Sequence, residues 1–212
     1  MFVIKYPDKP TSTISTVMFA KSTTSPPTVR NIVVKIRVND VVARLKKSEV
    51  ANSLTFKSYS NFCVIKGLCH VTLIAFSKSG HLNITGVRGF HQILAVLCLL
   101  SSVLCDPNLL HNCTPSVVSS TVTGRLAQRV NLHKLTKSCE ENSNLSAFPI
   151  ARKGRLVFSL QRGHFPSLLI RQIGHRGCVQ VFCSGKFNIV GCNSLWDIAQ
   201  SWQIANALTK MS

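Results

Sequence analysis

One octet occurs twice in this chain. Residues 79–86 read SGHLNITG and residues 184–191 read SGKFNIVG, identical at five of eight positions and 105 residues apart. A chain built this way holds two copies of one supersecondary unit, so its fold must serve both halves. The flanks extend the match. An apolar strand pattern closes at Phe76 (VTLIAF) before the first octet and at Phe182 (CVQVF) before the second. Further upstream lies another apolar strand led by a Phe: FCVIKG from Phe62 and FPSLLIRQI from Phe165. Hairpin turns are expected at Gly67 and near Gly174. Downstream of each octet comes a helical pattern. In the second half Leu195, Ile198, Ala199, Trp202, Ala205 and Leu208 recur at helical spacing, with Ser194 as N-cap and Asp197 three residues later. In the first half the helix is the apolar run 93–105. Each half therefore reads strand, helix or loop, hairpin, short strand and long helix, a duplicated α+β design. Strand alternation puts Asn83 with Thr85, and Asn188 with Val190, on one face. Leu82 and Ile84, or Phe187 and Ile189, then meet the helices.

Around the repeats, residues 1–28 are rich in Ser, Thr and Pro and read as a flexible tail. The first repeat is expected over 29–106, a linker over 107–117 and the second repeat over 118–212. The polar stretch 136–146 (TKSCEENSNLS) reads as a loop insertion. Charge narrows the partner. Twenty-five Lys and Arg against seven Asp and Glu leave a formal charge of +18, which calls for a polyanion, either nucleic acid or an anionic membrane surface. Seven scattered acids argue against paired-carboxylate catalysis. The His residues are scattered too, and no GxGxxG or GKS/T pattern occurs, so the chain is expected to be no enzyme and to take no small-molecule substrate or cofactor. Nine cysteines without a CxxC pair predict free thiols rather than a metal site. After Met1 only Phe2, Val3 and Ile4 are apolar before Lys5, so no signal peptide is expected. As a helix, 93–105 would reach about 20 Å against a hydrocarbon core of about 30 Å, which favours a buried or partner-covered helix over a membrane anchor.

These residues resemble the core of the TATA-binding protein family over roughly residues 29–212. FPSLLIRQI followed by VQVFCSGKFNIVG follows the family's pattern of Phe-Pro-Gly, apolar strand with Arg, turn, apolar strand, Phe-x-Ser-Gly-Lys, strand and Thr-Gly. Arg30-Asn31-Ile32-Val33-Val34 is similar to the family's opening Gln-Asn-Ile-Val strand. The resemblance implies two tandem repeats forming a saddle-shaped, curved antiparallel sheet with helices on its convex face. It also implies that the concave face lies on the DNA minor groove, where Phe pairs wedge between base steps and kink the duplex.

The resemblance assigns the wedge roles to Phe165 and Phe182 in the second repeat, with Pro166 beside them, and to Phe62 and Phe76 in the first. Phe62 and Phe76 lie 14 residues apart where the second pair lies 17 apart, and Phe76 falls one position early relative to the shared Ser-Gly. A one-residue slip reverses a side chain unless a bulge restores it. Asn31 matches the family's central groove Asn, with Val33 on its strand; its counterpart should fall near Ser120, Val122 and Gly124, where no Asn stands. Asn83, Thr85, Asn188 and Val190 are expected to face the groove, and Val122 to join them. Arg88, Arg171 and Lys186 match the family's phosphate-contacting cations, while His81 replaces a Lys. The family's acidic partner-binding stirrup is replaced here by LQRGH (160–164), which has no acid. The expectation is a double-stranded DNA partner, together with transcription factors or RNA polymerase subunits docked on the apolar helix 93–105. Action in the nucleus or at a viral transcription site follows, and the divergent surface suggests a viral protein. Two alternatives stand: a saddle-shaped protein-interaction module that has lost DNA bending, and a basic membrane-surface protein.

Overall fold

The structure is a computed structural model that describes residues 28–141, 155–164 and 166–208. The tail expected over 1–28 thus lies outside the described residues, apart from Thr28. The chain divides into two compact units, with Arg30–Ser119 in one and Ser120–Ser212 in the other.

The first unit runs β1 (Thr28–Arg37), α1 (Val41–Lys46), a 3-10 turn (Ala51–Ser53), β2 (Thr55–Ser58), β3 (Phe62–Leu68), β4 (Val71–Phe76), β5 (His81–Val87), α2 (Phe90–Val103) and α3 (Leu109–Asn112). Its strands pair antiparallel in the order β2-β3-β4-β5-β1. Every second residue points into one core: Val34 and Ile36 on β1, Ile65 on β3, Leu73 on β4, Leu82 and Ile84 on β5. Helix α2 covers them with Ile93, Val96, Leu97 and Leu100. The apolar run is thus an ordinary one-sided helix at its buried face, while Leu94 on the other side is 45% exposed. No helix among the described residues is long and apolar enough to cross a membrane.

The second unit takes β6 (Ser116–Arg125) and continues with α4 (Leu132–Glu141), β7 (Leu156–Gln161), β8 (Ser167–Gln172), β9 (Cys178–Phe182), β10 (Lys186–Cys192) and α5 (Leu195–Leu208). The strand order is β6-β10-β9-β8-β7, again antiparallel. Phe187 is fully buried against Trp202 of α5, ring centroids 5.7 Å apart. Helix α5 starts on the capping box expected from sequence. The Ser194 hydroxyl accepts the Asp197 N–H at 3.0 Å and donates to the Asp197 carboxylate at 2.8 Å.

Two expectations are corrected. The stretch 136–146 begins inside α4, because Leu132, Leu135 and Cys139 form a buried helical stripe and the Asn131 side chain accepts the Lys134 N–H at 3.1 Å as an N-cap. Residues 142–146 lie outside the described residues. The first hairpin turns at Cys69 and His70, not at Gly67. Leu68 pairs with Val71, and both intervening residues have positive φ, 47° and 59°. That is the two-residue primed geometry whose twist suits a hairpin. Gly67, at φ 109°, sits instead at a register shift within β3. The stretch 107–117, expected as a linker, holds α3 and the start of β6.

Gly124 on β6 faces the Phe187 ring so closely that a Cβ there would run into it. Gly124→Ala should therefore cost about 1–3 kcal/mol through overpacking. Gly163→Ala, where nothing lies within 4 Å, should stay within about 0.5 kcal/mol. Urea unfolding of the two variants checks this, and equal stabilities would refute the packing account.

Candidate nucleic-acid interface

Each unit has one sheet face turned to its helices and an open face that alternation fills with the remaining side chains. In the first unit, cross-strand pairing arranges the open face in rows. One row runs Phe62, Phe76, His81, Arg37 across β3, β4, β5 and β1. The next runs Lys57, Val64, Ile74, Asn83, Lys35 from β2 to β1. A third holds Thr55, Lys66, Thr72 and Thr85. The expected sites Asn31, Val33, Phe62, Phe76, Asn83 and Thr85 are all half-buried, as side chains on an uncovered sheet face should be. Arg88 is exposed just before α2, where its backbone N–H donates to the Gln92 side chain.

Phe62 and Phe76 are direct cross-strand partners, ring centroids 6.0 Å apart. The early position of Phe76 does not reverse it, because the turn absorbs the slip. Gly80 N–H reaches back to Phe76 O, whereas Gly185 N–H reaches Phe182 O, one residue nearer. The first turn simply holds one more residue, and both Phe side chains leave on the open face. Asn31 is held rigidly. Its side-chain oxygen accepts the Gly86 N–H at 2.8 Å, and its amide lies 3.4 Å from the Thr85 hydroxyl. With the oxygen accepting from Gly86 and one amide N–H reaching the Thr85 hydroxyl, the amide has one further N–H to donate.

In the second unit the open face carries Thr123, Asn188, Gln180, Leu169 and Ser159 in one row, and Val190, Cys178, Arg171 and Val157 in another. Asn188, Val190 and Phe182 are half-buried, and Pro166, Arg171 and Lys186 are exposed. Phe165 lies outside the described residues. Val122 is corrected: it pairs with Ile189, is 3% exposed and belongs to the core, so it presents no side chain to a ligand. Thr123 stands opposite Asn188 as Lys35 stands opposite Asn83, and both units carry the same register shift, between Ile32 and Val34 and between Ile189 and Cys192. The residues equivalent to Asn31, Val33 and Lys35 are thereby Ser119, Thr121 and Thr123.

Register also changes the pairing of Phe62. Ser167 stands opposite Phe182 as Phe62 stands opposite Phe76, and Lys66 corresponds to Arg171. Lys35, Arg37, Lys57 and Lys66 were not singled out from sequence. For Lys66 the signal was there, since 66 and 171 are separated by the same 105 residues as the octets. His81 sits among these cations. Partial burial, then the charges of Lys35 and Arg37, hold its pKa below the usual 6.5. All nine cysteines are free. Burial pushes the Cys139 thiol up to about 12 and Cys192 to about 11, so these two act as packing groups. Among the described residues no group of three His, Cys, Asp or Glu is placed to hold a metal ion.

No protein-family model and no curated protein matches this sequence. Among solved structures, Methanococcus jannaschii TBP is similar at 19% identity and a TM-score of 0.62, over 88% of this chain and 99% of that one. The Rolling Circle Replication Initiator Protein from Geobacillus stearothermophilus reaches a TM-score of 0.40 at 10% identity, over 87% of this chain and 78% of that one, too low a likeness to weigh. The α+β fold of this chain, with its two repeats, is TATA-binding-protein-like.

Proposed function

We propose that this protein is a transcription initiation factor that binds A·T-rich promoter DNA from the minor groove. The observation that carries the reading is the Phe62–Phe76 pair on an open face bordered by Lys35, Arg37, Lys57 and Lys66. Apolar rings wedged at a base step unstack it at a cost of a few kcal/mol, which wrapping more protein surface offsets. The cations at the strand edges supply phosphate contacts, and Asn31 offers an amide donor to the acceptors that A·T pairs display in the minor groove. Phe182, Asn188, Arg171 and Lys186 play the corresponding parts in the second unit, and the family resemblance adds Phe165 and Pro166 to them. The reading needs no catalytic group or cofactor. Transcription factors or polymerase subunits would dock on α2, where Leu94 is exposed. The site of action would be the nucleus or a viral transcription site. A second reading, a protein-interaction module that no longer bends DNA, is favoured by one observation: Ser119 stands where a second groove Asn would be needed.

Duplex binding and bending, followed by end-to-end energy transfer across a salt series, separates the two. Affinity should fall with salt at a log–log slope of about −0.9 per phosphate neutralised, and Arg171→Ala or Lys186→Ala should each flatten that slope by about one such unit. The double variant Phe62→Ala, Phe76→Ala should lose most of the bend at an unchanged salt slope. Bending that survives in this variant would sink the wedge.

His81 gives an independent check. In the free protein its pKa is lowered by Lys35 and Arg37 as well as by burial. Phosphates that neutralise those cations raise it again, so binding takes up a proton and affinity rises as pH falls towards the lowered pKa of the free imidazole. His81→Gln should remove that part of the pH dependence. Identical pH profiles for the two proteins would place His81 outside the contact.

A further inference from the structure

The Phe62–Phe76 pair has a third ring beside it. Tyr59, in the turn between β2 and β3, stacks on Phe62 with centroids 4.6 Å apart and planes inclined by 23°. A backbone hydrogen bond closes the turn, Tyr59 N–H donating to Phe62 O at 2.8 Å. The ring is 45% exposed and carries the Lys57 ammonium 5.5 Å from its centroid. At the octets' offset of 105 residues, the sequence position matching Phe165 in the first repeat is Ser60, the residue next to Tyr59. The second aromatic of this unit is therefore supplied from a neighbouring position and in a different posture, already stacked.

That posture matters for what the rings can accept. A blade that enters a closed step must slide between two stacked base pairs. Phe62 has Tyr59 stacked on it and Phe76 packed beside it, so a step that the Phe pair has opened meets a broad aromatic surface rather than a lone ring. A broad aromatic surface beside cations suits a base that has already left its stack, because every base offers a π-face and needs no slit opened for it. Lys57 lies close enough to pair with the phosphate of such a nucleotide while its neighbour ring carries the base.

We infer that Tyr59, with Phe62 and Phe76, forms a stacking platform for an unpaired base, giving the first unit a preference for DNA that is locally melted. This rests on the DNA-binding reading above and adds a substrate feature to it.

The test compares an A·T-rich duplex with the same duplex carrying a short mismatched bubble, with 2-aminopurine at one unpaired position. The proteins are the full chain, Tyr59→Ala and Tyr59→Phe. Ring–base stacking measured by alanine substitution amounts to about fivefold to over a hundredfold in affinity per base. The full chain should bind the bubble at least about fivefold tighter than the intact duplex and quench the 2-aminopurine. Tyr59→Ala should lose that preference and that quenching while keeping its affinity for the intact duplex, and Tyr59→Phe should retain both. Unchanged melting temperatures of the variants show that the exposed turn has not unfolded. Equal weakening of Tyr59→Ala on both DNAs, or no weakening on either, overturns the inference. A wild-type chain that bends the intact duplex but has no Tyr59-dependent preference overturns this inference alone. One that binds the bubble through Tyr59 yet never bends the intact duplex overturns the promoter reading and leaves the platform standing.

Discussion

Both units depend on the register set by the Ser-Gly turn ahead of β5 and β10. Gly80 and Gly185 have φ of 63° and 79°, a left-handed conformation in which a side chain is strained. The preceding serines complete the turn, each hydroxyl lying 3.4 Å from a backbone N–H, that of His81 or Lys186. Once the turn is fixed, strand period two does the rest. Leu82 and Ile84, or Phe187 and Ile189, enter the core, and Asn83 or Asn188 is left outside. Functional and packing residues thus come from the same strands and are sorted by one geometric decision. Gly86 and Gly191, also at positive φ, end this sorting at the bulge. In the first unit the bulge N–H is the group that holds Asn31.

The charge of the chain is then unevenly used. With seven acids for 25 Lys and Arg, most cations have no carboxylate to pair with. Two ion pairs among the described residues serve the helices. Arg44 bonds Asp106 at 3.2 Å and the Leu104 carbonyl at 2.8 Å, closing the C-terminal end of α2. Lys137 and Glu141 lie 3.8 Å apart along α4. Neither pair draws on an open-face cation. Lys35, Arg37, Lys57 and Lys66 therefore repel one another across a single sheet face, and the lowered pKa of His81 is one local sign of that field. Such a face gains most from a ligand that brings many negative charges at once, and a string of phosphates does so.

How much of this was legible in the sequence depends on the kind of information needed. The repeat, the α+β class, the helix start at Ser194 and the open-face placement of Asn83 and Asn188 all follow from short-range pattern. Positions that depend on an insertion do not. The offset of 105 relates Phe62 to Ser167 and Lys66 to Arg171, becomes 106 between Phe76 and Phe182, and returns to 105 at the octet. One residue fewer around the first hairpin and one more in the first Ser-Gly turn cancel, and periodicity alone cannot see where. Val122 was misplaced because the face of β6 is set by Thr123 standing opposite Asn188, a pairing that the pattern of β6 alone does not reveal. Tyr59 was invisible for a different reason: it lies in a turn, outside any strand alternation, and only its stacking on Phe62 gives it a role. The hairpin turn was misread because Cys69 and His70 occupy positive-φ positions that glycine and asparagine usually fill.

Equivalent positions in the two repeats also differ in chemistry. The first offers Asn31, Val33 and Lys35 where the second offers Ser119, Thr121 and Thr123. Ile74 corresponds to Gln180, and Phe62 to Ser167, whose hydroxyl is fully buried and accepts from Gln180 at 3.0 Å. A ligand with two identical halves would be served best by two identical sets of donors and rings, because each mismatch leaves a polar group unpaired or an apolar one against water. Duplication followed by this divergence instead suits a ligand with unequal ends. On the DNA-binding reading proposed above, the rings and cations of the first unit suit a deformable step under close phosphates, and the amides and hydroxyls of the second suit base or sugar acceptors.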